Sequence, residues 1–288
     1  MKKLLALALV VLSNAAAAQQ AGKIGVAVHQ VNDRRTNGSF SQLGITLEVP
    51  KVKSSEVAAS RVLITAAVDD SGRDLRDPEA SEPQLASNHM GRGAPDATPM
   101  PATVSVMLKN PERKATKVKE IRGEIELFMP AKDPNSVAEI PKFVSMSGKS
   151  LAHKALKANG VEISLLSAAQ IEAEKKRRAE AKKKEYAELG FSGEELGNML
   201  TSFLESLFGV EENELLARIK DPNKRIQDIS YVDAGGEVKP VAMYDEEGLM
   251  HLSTWAGKPQ ADWKMRVSMK TSKTVVRYTF ALNDVPLP

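Results

Sequence analysis

The chain has 288 residues, 42% hydrophobic and 27% charged, which is the balance of an ordinary globular protein rather than a disordered one. It contains no cysteine, so disulfides, thiolate metal sites, thiol catalysis and a lipid-modified N-terminal cysteine are all excluded. The formal charge of +3 includes Lys2 and Lys3; without them the chain is near neutral, which argues against a dedicated nucleic-acid binder.

Those two lysines open the first element. An apolar run from Leu4 to Leu12 follows, and Ala16-Ala17-Ala18 before Gln19 fits a small-x-small cleavage site. This pattern predicts a signal peptide over residues 1–18, cleaved near Ala18, and a periplasmic or secreted mature protein starting at Gln19. No later apolar run reaches the roughly 20 residues of a membrane helix, so no membrane span is expected after cleavage. The remaining length suits two modest domains, or one domain carrying an insertion.

From Lys23 to about Ser167 the apolar residues recur with period two. Ile24, Val26 and Val28 alternate with smaller residues, and Ile45, Leu47 and Val49 with Thr46 and Glu48. Val104, Val106 and Leu108 repeat the pattern, as do Ile125, Leu127 and Met129. Half-buried antiparallel strands follow, and their Pro and Gly punctuation suggests a β-sandwich module over residues 19–166. Residues 71–102 interrupt it with five prolines, Pro78, Pro83, Pro95, Pro99 and Pro101, and predict a mobile surface loop.

Residues 167–221 read as a helical arm. Ser167 and Gln170 form a capping box, and Gly190 is placed to end a helix at about Leu189. That helix is polar on every side, with Glu172 opposite Lys176, Glu174 opposite Arg178 and Glu180 opposite Lys184, so it is expected to stand away from the core. Ser192 and Glu195 suggest a second capping box, and Gly209 a second stop. Between them Leu196, Met199, Leu200, Phe203, Leu204, Leu207 and Phe208 share one helical face, which must be buried against the sandwich or a partner. A shorter helical piece is expected over about 211–220, ended by Pro222.

Strands return over residues 222–288. Trp263, Met265, Val267 and Met269 alternate with charged and small residues, and Val276, Tyr278, Phe280 and Leu282 follow across Thr271-Ser272-Lys273-Thr274, which reads as a hairpin. These strands either complete the sandwich or form a second module. The expected fold is therefore mainly β with a helical insertion (α+β): an antiparallel β-sandwich, with two immunoglobulin-like modules as one version, interrupted by the arm. Two segments resemble each other without gaps. RVLITAAVDDSGRD from Arg61 and RIQDISYVDAGGEV from Arg225 pair Asp69 with Asp233 and Gly72 with Gly236. Either two strand-turn units share turn chemistry, or two sandwich modules are related, with the helical arm at their junction.

Asp70-Ser71-Gly72 resembles the Asp-Thr/Ser-Gly signature of aspartic peptidases, and Asp233-Ala234-Gly235 can stand as a second copy. The resemblance covers three residues, and it implies that Asp70 and Asp233 share a proton, one as base on a water and the other polarising a scissile carbonyl. A plain β-turn accounts for the same residues. The four histidines, His29, His89, His153 and His251, are too scattered for a zinc site, and neither a metal nor a cofactor is expected. The carboxylates of Asp69, Asp70 and Asp74 suggest calcium, without the ligand order of an EF-hand. Trp255 and Trp263 are either a sugar-stacking platform or ordinary sandwich residues.

The functional expectation is a secreted, non-catalytic binding or scaffolding protein that takes a protein partner or an anionic polymer through residues 168–220. The contact residues would be Lys175, Lys176, Arg177, Arg178, Lys182, Lys183 and Lys184 on the basic helix, with Leu200, Phe203, Leu204, Leu207 and Phe208 on the apolar stripe. The alternatives are an aspartic-type peptidase acting on extracellular protein or mucin, and an anionic-polymer (glycan, lipid or nucleic acid) binder.

Overall fold

A computed structural model describes residues 22–36, 41–77, 83–87, 100–209 and 211–288. The expected signal peptide and much of the 71–102 loop lie outside these residues. The first seven strands are β1 (Gly22–Lys23), β2 (Ala27–Arg34), β3 (Gln42–Lys53), β4 (Ala59–Asp69), β5 (Ala86–Ser87), β6 (Pro101–Leu108) and β7 (Lys117–Phe128). Alternation along β3 and β6 turns Leu43, Ile45, Leu47, Val104, Val106 and Leu108 to one side, where they are buried. Facing them are Val62, Ile121, Ile125 and Leu127 from β4 and β7. A three-stranded sheet, β2-β3-β6, thus packs on a five-stranded one whose strands include β4 and β7.

A second core is built from residues of 138–269. Its elements are β8 (Val137–Pro141), α1 (Lys154–Asn159), β9 (Glu162–Leu165), α2 (Ala168–Glu188), α3 (Gly193–Phe208), β10 (Glu214–Lys220), β11 (Ile226–Val232), β12 (Val238–Pro240), β13 (Ala242–Glu246), β14 (Leu249–Ser253) and β15 (Lys264–Met269). The sheets are β13-β14-β10-β9 and β12-β11-β15-β8. Between them Phe143 stacks on Tyr231 at 4.9 Å, and Trp263 lies 6.3 Å from the same ring. The chain ends in β16 (Val275–Pro286), which lies in the first module beside β7.

The two modules have one strand order. In chain order β9, β10, β11, β12, β13, β14 and β15 take the A, B, C, C′, D, E and F positions of an immunoglobulin-type sandwich. In the first module β2, β3, β4, β5, β6 and β7 take the A, B, C, C′, E and F positions. The G position beside each F strand is filled from the other side of the chain. β16, which follows the second module's F strand, pairs with β7 from Val275↔Phe128 to Pro286↔Lys117. β8, which follows the first module's F strand, pairs with β15 from Lys264↔Pro141 to Ser268↔Val137. The modules exchange their last strands, and residues 117–141 and 264–286 run antiparallel along both.

The crossing point is tied by specific bonds. Met129 N donates to Thr274 O at 2.8 Å. Asp133 accepts from Thr271 Oγ1 at 2.8 Å and from Asn135 N at 2.9 Å. Just inside the first module Glu126, 2% exposed, lies between Arg61 and Arg277 on the two neighbouring strands. Gly123 fits where β7 is closest to its neighbours, because a Cβ there would lie 2.4 Å from Leu63 O and 3.0 Å from Phe280.

Four expectations change. β15 and β16 do not pair as a hairpin: Met265, Val267 and Met269 fill the second core, Phe280 and Val285 the first, and the turn at 271–274 carries the chain between them. Residues 130–166 belong to the second module, and 222–288 divide between both. Residues 214–220 form strand β10, not a helix; Leu215, Ala217 and Ile219 face the second core while Leu216 faces the helices, so covering on both sides hides the alternation. The helices lie between β9 and β10 on the outside of the second module, not at the module junction.

Deleting residues 275–288 is expected to leave 130–270 resistant to limited proteolysis and to open residues 22–128 to cleavage. Fragmentation of the second module instead would return β16 to a local hairpin. Gly123→Ala should cost about 1–3 kcal/mol through overpacking, measured by urea unfolding.

Candidate functional site: the helical arm and its root

Helix α2 starts at the predicted capping box, in which Gln170 N donates to Ser167 Oγ and Ser167 N to Gln170 Oε1. It ends at Leu189, with Gly190 at φ +94°. The second capping box is not formed, since Ser192 makes no side-chain cap bond. Gly209 ends α3 by close approach rather than left-handed backbone; a Cβ would lie 2.4 Å from Glu205 O.

The apolar stripe of α3 divides in two. Leu207 and Phe208 are buried against Leu166, Leu216 and Leu249 on the outer face of the β13-β14-β10-β9 sheet, with Phe203 and Leu204 packed beside them. These four of the proposed contact residues therefore root the arm. Leu196, Met199 and Leu200 are half-buried toward the tip, where Tyr186 and Phe191 meet edge-to-face at 6.2 Å and Leu189 is 67% exposed. A shallow groove of about 470 Å³ runs past Tyr186, Met199, Phe203 and Ser206.

The polar helix is anchored as well. Glu174, 6% exposed, accepts from Arg177 and Arg178 on its own helix and from Arg218 on β10 at 3.0 Å. Arg178 continues to Glu247 at 3.1 Å. The Arg177 hydrogen bonds, against the cost of burial, hold the Glu174 carboxyl down at about 2. Of the expected pairs only Glu174 with Arg178 forms; Lys175 binds Glu172 and Lys182 binds Glu185 instead. Lys182 also lies 5.3 Å from the Phe203 ring centre. Lys176, Lys183 and Lys184 are exposed and make no ion pair among the described residues.

A second polar cluster lies on the same sheet face. His251 Nδ1 is 2.5 Å from Glu214 Oε1, and Tyr244 donates to that oxygen at 2.6 Å while stacking on the imidazole at 4.4 Å. Glu246 Oε2 lies 3.9 Å from His251 Nε2, and Ser206 of α3 donates to the other Glu246 oxygen. Burial and the bond to Glu214 push the Tyr244 hydroxyl up to about 12. Neither His251 nor Glu214 has a chain neighbour that signals this contact, because β10 and β14 bring them together from 37 residues apart.

Asp70 and Asp233 are not brought together. Asp70 caps the end of β4 beside Lys117, and Asp233 follows β11 where Val232 pairs with Lys264, so they mark opposite ends of the exchanged ribbon, on the order of tens of ångströms of strand apart. A pair sharing one proton needs one raised pKa, yet both are lowered: Asp70 by hydrogen bonds from Thr116, Asp233 by the Glu237 amide and Lys239. The buried member of the first turn is Asp69, fully enclosed, which accepts from Ser71 N, Ser71 Oγ, Arg73 N and Glu112 N. With Asp70 bound to Thr116 and Asp74 to Arg76, the carboxylates of the suggested calcium cluster serve as hydrogen-bond acceptors for the protein.

His153 caps α1 by accepting from Ala155 N, and His29 lies 4.0 Å from Glu48. His89 is outside the described residues. Trp263 is a core residue and Trp255 is 84% exposed, so they form no common platform. Among the described residues no helix is long and apolar enough to cross a membrane. No protein-family model, curated protein or solved structure matches the chain.

Two measurements follow from these carboxylates. Ionised Glu174 stabilises the arm fully above about pH 4.5, its ordinary value, and that contribution is lost as pH falls toward about 2. The protection factors of amides 168–209, taken relative to the intrinsic exchange rate at each pH, should therefore fall across that interval in the wild type, whereas Glu174→Gln is already less protected at pH 7 and changes less. Asp69→Ala should cost about 3 kcal/mol in urea unfolding and Asp70→Ala less than about 1.

Proposed function

We propose that the protein is an exported, non-catalytic binding or scaffolding protein that holds a protein partner on the tip of its helical arm. One observation supports this above the others: the arm is packed and ion-paired at its root, while Leu189, Leu196, Met199 and Leu200 stay partly open toward its tip and Lys183 and Lys184 are exposed, with no ion pair among the described residues. Apolar side chains supply area that is worth removing from water, and lysines without internal partners favour an acidic surface around it and speed encounter. The preferred partner is thus an acidic protein surface with an apolar centre. Export rests on the sequence pattern of residues 1–18 and implies a mature N-terminus at Gln19.

Photo-crosslinking residues placed at 189, 196 and 199, in the cells that make the protein, should give discrete adducts with an acidic protein. A probe at Ser105 on β6 should not. Lys183→Glu with Lys184→Glu should reduce those adducts several-fold at low salt and leave thermal stability unchanged. No adduct at any tip position, or equal adducts from Ser105, would end this reading. Adducts formed only with a glycan, lipid or nucleic acid would transfer the function to an anionic polymer.

A further inference from the structure

The outer face of the β12-β11-β15-β8 sheet carries polar side chains, as a solvated sandwich face should. It is only partly solvated. Ala58 and Phe128 at the end of the first module, with Pro130 and Ala131 of the connection that follows, overhang it and leave a cleft of about 300 Å³. Ser230 on β11 is 1% exposed and Ser268 on β15 is 7% exposed; both line the cleft, and among the described residues neither hydroxyl has a hydrogen-bond partner. Beside them Glu139 Oε1 accepts from Arg266 at 2.7 and 3.0 Å. Both hydroxyls open onto the cleft rather than onto the protein interior, so they are free to bond whatever enters it.

We infer that this junction cleft is a binding site for a neutral, hydroxyl-rich ring of monosaccharide size. The volume is at the lower end of the range for small-ligand sites, and clefts between modules are where such sites concentrate. The lining has two characters. One wall is aliphatic, from Ala58, Pro130, Ala131 and Val137, and suits the C–H face of a ring. The floor offers two hydroxyls that donate or accept, with Arg266 as donor and Glu139 as acceptor. Charge selects against anions, which would meet Asp228 and have to displace Glu139 from Arg266, and a cation on Glu139 would have to displace Arg266. Both modules line the cleft, so a bound ring would tie them together. This inference does not rest on the arm.

The test titrates the full mature chain with glucose, galactose, mannose and N-acetylglucosamine, up to about 50 mM, following backbone amide NMR shifts. At least one sugar should give saturable shifts at 230, 266 and 268 and raise the melting temperature. Ser230→Ala with Ser268→Ala should weaken that sugar about tenfold or more. Its unliganded melting temperature should stay the same or rise, since no protein hydrogen bond is lost. Absence of saturable shifts with all four sugars overturns the proposal. So does equal or tighter binding of gluconate or glucosamine, or full affinity in the double variant.

Discussion

Everything in this fold depends on the exchange of the last strand between two sandwiches. An F strand left without its G neighbour presents a row of unpaired backbone groups and an uncovered edge of core. Each module covers that edge with chain that has already passed through, or has yet to leave, the other. Separation would therefore strip both sandwiches at once. The bonds at the crossing, Met129 to Thr274 and Thr271 to Asp133, lie where the two connecting segments run side by side. Glu126 reinforces the same place by holding Arg61 and Arg277 across three adjacent strands. A chain without cysteine has no covalent staple, and reciprocal strand exchange takes over that role through hydrogen bonding and burial.

A second consequence of crowding appears on the far side of the second module. The outer face of β10 and β14 would be wet in a bare sandwich, but here α2 and α3 lie across it. Polar residues between sheet and helices are consequently buried and must be matched: Glu174 of α2 by three arginines, Glu214 of β10 by His251 and Tyr244. A buried carboxylate without such partners would be strongly destabilising. The arm is in this sense two structures in series. Its root is continuous with the domain, and only its outer turns are free to meet another molecule.

What the sequence discloses and what it conceals follow from the reach of local periodicity. Strands β3 and β6, and β7 as far as Ile125, have one covered and one wetter face, so alternation reveals them directly. The Asp/Gly turns are also legible: Asp69 N to Arg73 O and Gly72 N to Asp69 O are reproduced by Asp233 N to Glu237 O and Gly236 N to Asp233 O, in the ungapped register the two segments suggest. Period two tells which face a residue takes but not which strand lies alongside, and so β15 and β16 look like a hairpin when they serve different cores. β10 is hidden because helices and sheet cover both of its faces. Nothing near Ser230 or Ser268 in sequence foretells their burial, which the end of the other module imposes. The Asp-Ser-Gly string is the opposite case: a recognisable motif whose carboxylates support a turn.

The position of β16 also bears on how the chain is born. Synthesis delivers residues from the N-terminus, and domains ordinarily fold in that order as they emerge. Here the first sandwich lacks its closing strand until Val275–Pro286 have been made. The second sandwich can close as soon as residue 270 is available, so the domain begun first is finished last. Until β16 is made the edge of β7 stays open, so the N-terminal half waits on the C-terminal one for its full stability.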